Sequence, residues 1–161
     1  DGTGVAGTAL PYATGTLVLW SADKTMDLSD PKAALTKAAH VAIANPDLAP
    51  YGKAAAQTIE KLGLTDALKD KIVMGENVGQ AQTMVASGAA EVGFVAASGL
   101  VGLAEPGASW TVPADMHAPL TQGAILLTHG AANTAAQGFL AYLASDAGKA
   151  AMAGFGYAPG S

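Results

Sequence analysis

Between His40 and Ser98 the chain repeats one local pattern, a short apolar run, a turn and an Ala-rich amphipathic segment, and that alternation leaves few architectures open. His40 to Ala44 (HVAIA), Lys71 to Met74 and Glu91 to Ser98 (EVGFVAAS) predict strands. Lys53 to Leu62 and Val78 to Ser87 predict helices. In the first helix Ala54, Ala55, Thr58, Ile59 and Leu62 recur at i, i+3/i+4 spacing, while Lys53, Gln57, Glu60 and Lys61 stay polar. Strand, helix, strand, helix, strand predicts a βαβαβ unit with a parallel sheet, whose ligands sit beyond the C-terminal ends of the strands.

The two turns of this unit carry the chemistry. In Asn45 to Gly63, Pro46 and Pro50 forbid helix just before them, Pro50 suits a first-turn position, and Gly63 is a natural stop. In the second turn Asn77 is a plausible N-cap, Val78 falls in the first turn, and Gly88 closes the helix. The N–H groups of a first turn have no partner within the helix and lie at the positive end of its dipole, so each N-terminus is a ready anion site. Taken alone, Asn45 to Gly63 fits better a surface helix whose N-terminus meets only water, as most helix N-termini do. In a βαβαβ unit both N-termini converge on one place.

The flanks are less patterned. Residues 1 to 15 read as a Gly/Thr-rich loop and Thr16 to Ser21 as a buried strand. Ser29-Asp30-Pro31 predicts a capped helix through about Lys37, with the charges between Asp23 and Lys37 forming a solvated face. Leu64 to Leu68 predicts a helical turn, and Ser109 to Pro113 and Leu120 to Thr128 predict strands. Asn133 should cap a helix through Ala144 whose apolar stripe, Phe139, Tyr142 and Leu143, packs in a core, and Asp146 to Gly154 should form a last helix. Seven of the eight lysines lie between Lys24 and Lys71, and from Val92 onward only Glu105, Asp115, Asp146 and Lys149 are ionic. That asymmetry marks two units with different surfaces.

Composition closes off most chemistries. At 161 residues, half of them hydrophobic, the chain suits one domain or two small lobes with a substantial core. Without cysteine there is neither a disulfide nor a zinc–thiolate site. A net charge of −5 with no arginine argues against nucleic acid and against bidentate clamping of phosphate or carboxylate, so an anion would have to be held by N–H groups, hydroxyls and helix dipoles. No run approaches the ~20 apolar residues of a membrane-spanning helix. Gly2, Gly4 and Gly7 spell a GxGxxG, but no strand precedes it and no helix follows, so no dinucleotide role is expected. His40, His117 and His129 lack metal spacing, and neither a G-x-S-x-G elbow nor a P-loop occurs. No carboxylate pair is placed in a cleft by sequence. The expectation is a protein without catalytic residues, cofactor or metal held by direct side-chain ligation.

Four segments resemble the periplasmic molybdate-binding proteins of ABC importers, which have the type II periplasmic-binding-protein fold. They are TGTLVLWS (Thr14 to Ser21), IANPDLAPYGKAAAQTIEKLGL (Ile43 to Leu64), GENVGQAQTMVASGAAEVGFVAAS (Gly75 to Ser98) and FLAYLASDAGKAAMAGFGY (Phe139 to Tyr157). They span most of the chain in the family's order, and the middle two are specific to it.

The resemblance implies an α/β protein of two lobes joined by hinge strands. It would close on molybdate or tungstate in the periplasm and dock on a membrane permease. The family's Pro-x-Gly turn donor falls on Tyr51 and its Glu-x-Val donor on Val78, both as backbone N–H groups. One branch of the family adds a tyrosine hydroxyl from the returning hinge strand; the matching residue here is Ala96, which has none. The family's first Ser/Thr-bearing loops have no counterpart, so the resemblance implies a C-terminal fragment, with 23–95 as a complete second lobe and 1–22 and 96–161 as hinge strands and the rest of the first. The rival readings are a binding protein for another tetrahedral oxyanion such as sulfate, the effector-sensing domain of a regulator, and a small enzyme.

Overall fold

The computed structural model describes residues 2–160. Its strands, in chain order, are β1 (Leu10–Gly15), β2 (Leu17–Ser21), β3 (Val41–Ala44), β4 (Ile72–Gly75), β5 (Val92–Ala96), β6 (Ala108–Thr111), β7 (Leu120–Ala124) and β8 (Ala158–Pro159). The helices are α1 (Pro31–Lys37), α2 (Pro50–Lys61), α3 (Thr65–Leu68), α4 (Val78–Ala86), α5 (Thr134–Ala144) and α6 (Asp146–Gly154). By contact they divide into one unit running from Thr16 to Leu120 and a second formed by the flanks on either side of it.

The first unit is built on a five-stranded sheet in the order β4-β3-β5-β2-β6. β3 is parallel to both β4 and β5, which makes the βαβαβ unit; β2 is antiparallel to β5 and β6. All five residues of β2 are buried because both sheet faces are covered. With a side-chain period of 2, Leu17 and Leu19 enter one cluster with Val41, Ile43, Phe94 and the inner face of α2, while Val18 and Trp20 enter another with Ala42, Val95 and the Ala81 and Val85 of α4. α2 and α4 thus lie on opposite faces. Right-handed crossovers require this, since the chain passes from β3 outward to β4 and then back across β3 to β5.

Local signals set the helix ends. Asp30 caps α1 by accepting from Ala33 N–H, and Gly63 and Gly88 take φ of +71° and +76° beyond the ends of α2 and α4. At the N-terminal edge of the sheet the Glu91 carboxylate accepts the His40 N–H at 2.8 Å, joining the entries of β5 and β3. That bond holds the Glu91 carboxyl below its ordinary value of 4.5. A depressed carboxyl stabilises the fold above its unfolded pKa, and the contribution disappears as pH falls through the folded value. Glu91→Ala is therefore expected to melt roughly 1–3 °C below the parent at neutral pH, the gap narrowing as the pH falls below the ordinary glutamate range. A gap independent of pH would show that the carboxylate charge plays no part.

The second unit has the sheet order β7-β1-β8 and carries α5 and α6. Here several expectations need correcting. Residues 10–15, read as loop, form β1, because β7 and β8 supply partners on both sides from the far end of the chain, β8 through Ala13↔Pro159 and Thr14↔Ala158. The strand expected over Leu120 to Thr128 ends at Ala124; Leu127 keeps only an isolated bridge to Gly4, and Thr128–Gly130 turns into a 3-10 helix. Asn133 caps α5 as expected, but the Phe139, Tyr142, Leu143 stripe is not core: Leu143 is 4% exposed, Tyr142 44% and Phe139 60%. A small three-stranded sheet covers one side of α5 and leaves the rest of its apolar face open. In the first unit, Glu91 to Ser98 stops as a strand at Ala96 and continues as a 3-10 turn, Ala97–Leu100. The first unit also reaches beyond 23–95 on both sides, because β2 pairs onto β5 and β6 onto β2, all in one sheet.

Candidate functional site

β3 ends at Ala44, and the turn that follows satisfies itself. Asn45 Oδ1 accepts from Asp47 N–H at 2.9 Å, and the Asn45 carbonyl accepts from Leu48 and Ala49 at 3.1 and 2.9 Å. Ala49, the N-cap of α2, is extended (φ −132°, ψ 130°), the conformation a following proline demands, and Pro50 opens the helix. Ala49 has no side-chain acceptor with which to cap. Tyr51 is the second helical residue, and its ring packs on the α2-side core. Gly52 is third, and a Cβ there would stand 2.2 Å from the Ala44 carbonyl oxygen, so only glycine lets the helix start directly on the strand end.

β4 and α4 repeat the arrangement with a polar cap. Asn77 is extended (φ −145°, ψ 170°), and its Oδ1 accepts from Gln80 N–H at 3.0 Å. Gln80 Oε1 in turn accepts from Glu76 N–H at 2.8 Å, and the Asn77 carbonyl accepts from Ala81 N–H at 3.2 Å. None of these bonds uses the N–H of Val78 or Gly79, the first two residues of the helix. The Val78 side chain packs against the α4-side core. Gly75, like Gly52, is a close approach: a Cβ would lie 2.7 Å from Gln80 Cβ and 3.0 Å from Ala81 N.

The two turns are joined. Asn45 N–H donates to the Gly75 carbonyl at 2.7 Å, continuing past the Ala44↔Gly75 pairing that ends the β3–β4 ladder. Tyr51 and Val78 therefore stand at the first turns of two helices that leave neighbouring strand ends on the same edge of the sheet. Neither first turn holds an acidic side chain, so the positive ends of both dipoles are uncompensated from within. Glu76 stands exposed one residue ahead of the Asn77 cap, and exposed Lys53 is the basic residue of the α2 first turn. Ala96 ends β5 opposite Leu17 and offers no hydroxyl.

Tyr51, Val78 and the Asn77 cap stand at the helix starts where the sequence puts them, whereas Asn45, Gly52, Gly75 and Gln80, which shape the two turns, were not singled out. Two of these had signals: Asn-Pro-Asp is the makings of an Asx turn, and Asn77-x-x-Gln80 has capping-box spacing. The Asn45–Gly75 bond and the two glycine contacts join segments whose meeting no local pattern records. The histidines stay apart: His40 gives its N–H to Glu91, His117 Nδ1 lies 2.8 Å from the Ala118 carbonyl, and His129 borders a hollow of about 410 Å³ beside Phe139. Among the described residues no group of three or more His, Asp or Glu could hold a metal ion, and no helix is long and apolar enough to cross a membrane.

The family of bacterial extracellular solute-binding proteins matches residues 1–158. The molybdate-binding protein ModA of Azotobacter vinelandii is 45% identical, over 98% of this chain and 64% of that protein. ModA of Rhodobacter capsulatus is 43% identical, over 98% of this chain and 62% of that protein. Among solved structures, the periplasmic molybdate-binding protein of Azotobacter vinelandii superposes with a TM-score of 0.89 at 35% identity, covering 99% of this chain and 71% of that one. The fold is that of the periplasmic binding proteins. The chain spans less than two thirds of the length of either ModA relative.

Proposed function

Because the chain belongs to the family of bacterial extracellular solute-binding proteins, we propose that it acts in the periplasm as a binding protein, not an enzyme, capturing molybdate or tungstate for an ABC importer. The observation that carries this reading is the pair of helix N-termini held side by side through the Asn45–Gly75 bond, in a chain 45% identical to a molybdate-binding protein. Tyr51 and Val78 N–H are its donors. Four oxygens need more donors than two, and the reading assigns the remainder to Ser/Thr loops of a first lobe that closes on the ion by a hinge, with the importer's permease as the docking partner.

The chemistry follows from the donor set. Molybdate near neutral pH is a fully ionised dianion that only accepts hydrogen bonds, so a lining of N–H groups satisfies it. Any ligand bringing a proton of its own meets no acceptor and is penalised. Helix dipoles and oriented amides offset the charge without a cationic clamp, which suits a chain with no arginine. Calorimetry of the full-length protein with molybdate, tungstate, sulfate and phosphate is the test. Molybdate and tungstate should bind at least about tenfold more tightly than sulfate, and phosphate most weakly. Tight sulfate binding with none for molybdate would overturn the reading.

A further inference from the structure

We propose that Gln80 is a positioning residue of the anion site, acting through Val78; this rests on the reading of Val78 N–H as a donor. Gln80 is exposed, so it has no part in the core. Both of its hydrogen-bonding ends are nonetheless used on one turn. Its backbone N–H goes to Asn77 Oδ1 at 3.0 Å, and its side-chain Oε1 takes Glu76 N–H at 2.8 Å.

Capping α4 needs only the first bond. The second orders a residue outside the helix, one position ahead of the cap, where a usual capping box would reach back to the cap residue itself. The consequence is that every residue leading to Val78 is anchored. The Gly75 carbonyl is held by Asn45 N–H at 2.7 Å, the Glu76 N–H by the Gln80 side chain, and Asn77 by the Gln80 backbone. Gly75 makes room for this, since Gln80 Cβ sits 2.7 Å from where a Gly75 Cβ would be. An anion meeting the Val78 N–H then finds the turn already ordered. Without the Glu76 bond the ordering would be drawn from the binding energy.

Gln80→Met keeps the length and helix propensity of the side chain and removes its acceptor. Molybdate affinity measured by calorimetry on the full-length protein should fall about three- to tenfold, the loss of one ordinary hydrogen bond. The ligand-free melting temperature should move by less than about 2 °C, and Gln80→Ala should behave alike if methionine finds a new packing. The decisive measurement is a double-mutant cycle with Val78→Pro, which deletes the proposed donor. If Gln80 acts through Val78, adding Gln80→Met to Val78→Pro weakens molybdate binding no further. Losses that simply multiply would overturn the proposal, as would unchanged affinity in Gln80→Met beside a weakened Val78→Pro; either result leaves the donor reading standing. Unchanged affinity in Val78→Pro would remove that reading and the proposal with it.

Discussion

Val78→Pro is expected to weaken molybdate binding by about 10- to 150-fold, the range for one hydrogen bond to a charged group, while leaving the fold intact. The position is suited to the experiment. Val78 is the first residue of α4, where proline is favoured and its missing N–H serves no helical bond. The residue before it, Asn77, already has the extended conformation (φ −145°, ψ 170°) that precedes proline. The Asn77 and Gln80 caps use neither atom that changes. The corresponding change at Tyr51 is less clean, because Pro50 would then need a helical conformation directly ahead of another proline. Lys53→Ala is the control for charge: it removes an exposed cation one turn into α2 and should alter affinity less than about twofold. Equal losses in Val78→Pro and Lys53→Ala would mean that net charge, and not the backbone, holds the ion.

Gly52→Ala should damage both stability and binding, against the local expectation. Inside a helix alanine is better than glycine by about 1 kcal/mol, so propensity alone predicts a gain. The contact decides otherwise. The added Cβ would stand 2.2 Å from the Ala44 oxygen, 2.7 Å from the Ala44 carbon and 2.8 Å from the Asn45 carbon, all backbone atoms that cannot rotate aside. Either α2 lifts from the end of β3 or β3 shifts, and forced overpacking of this kind costs about 1–3 kcal/mol or more. For a chain of this size that corresponds to a drop in melting temperature of roughly 3–10 °C, read by circular dichroism. Molybdate affinity should fall as well, since the Tyr51 N–H moves with the helix. A variant that melts at or above the parent temperature would show that the strand end and the helix tolerate separation, and that their close seating is not a constraint.

Much of the first unit was legible before any coordinates. The βαβαβ order, the Asn77 and Asp30 caps and the stops at Gly63 and Gly88 all appear where periodicity and capping chemistry place them. So does the cap of α5 at Asn133. These signals act within one or two turns of chain, so the sequence window that carries them is the window that folds. β1 was not legible, because the segment becomes a strand by pairing with β7 on one side and with Ala158 and Pro159 on the other, partners more than a hundred residues away. The α5 stripe misled for the complementary reason: a period of 3.6 shows that an apolar face exists and not what covers it.

The candidate site divides along the same line. By itself the sequence determined that two helices begin directly after strands, that Tyr51 and Val78 stand in their first turns, that no arginine is present to hold an anion instead, and that the family match falls on both turns. Only the tertiary structure decided that β3 and β4 are neighbours, that Asn45 N–H reaches the Gly75 carbonyl, and that Gly52 and Gly75 seat the helices against the strand ends. The physical reason is that strand order is fixed by hydrogen bonds and burial between segments distant in sequence. The alternation of strand and helix along the chain would read the same for any order of strands across the sheet.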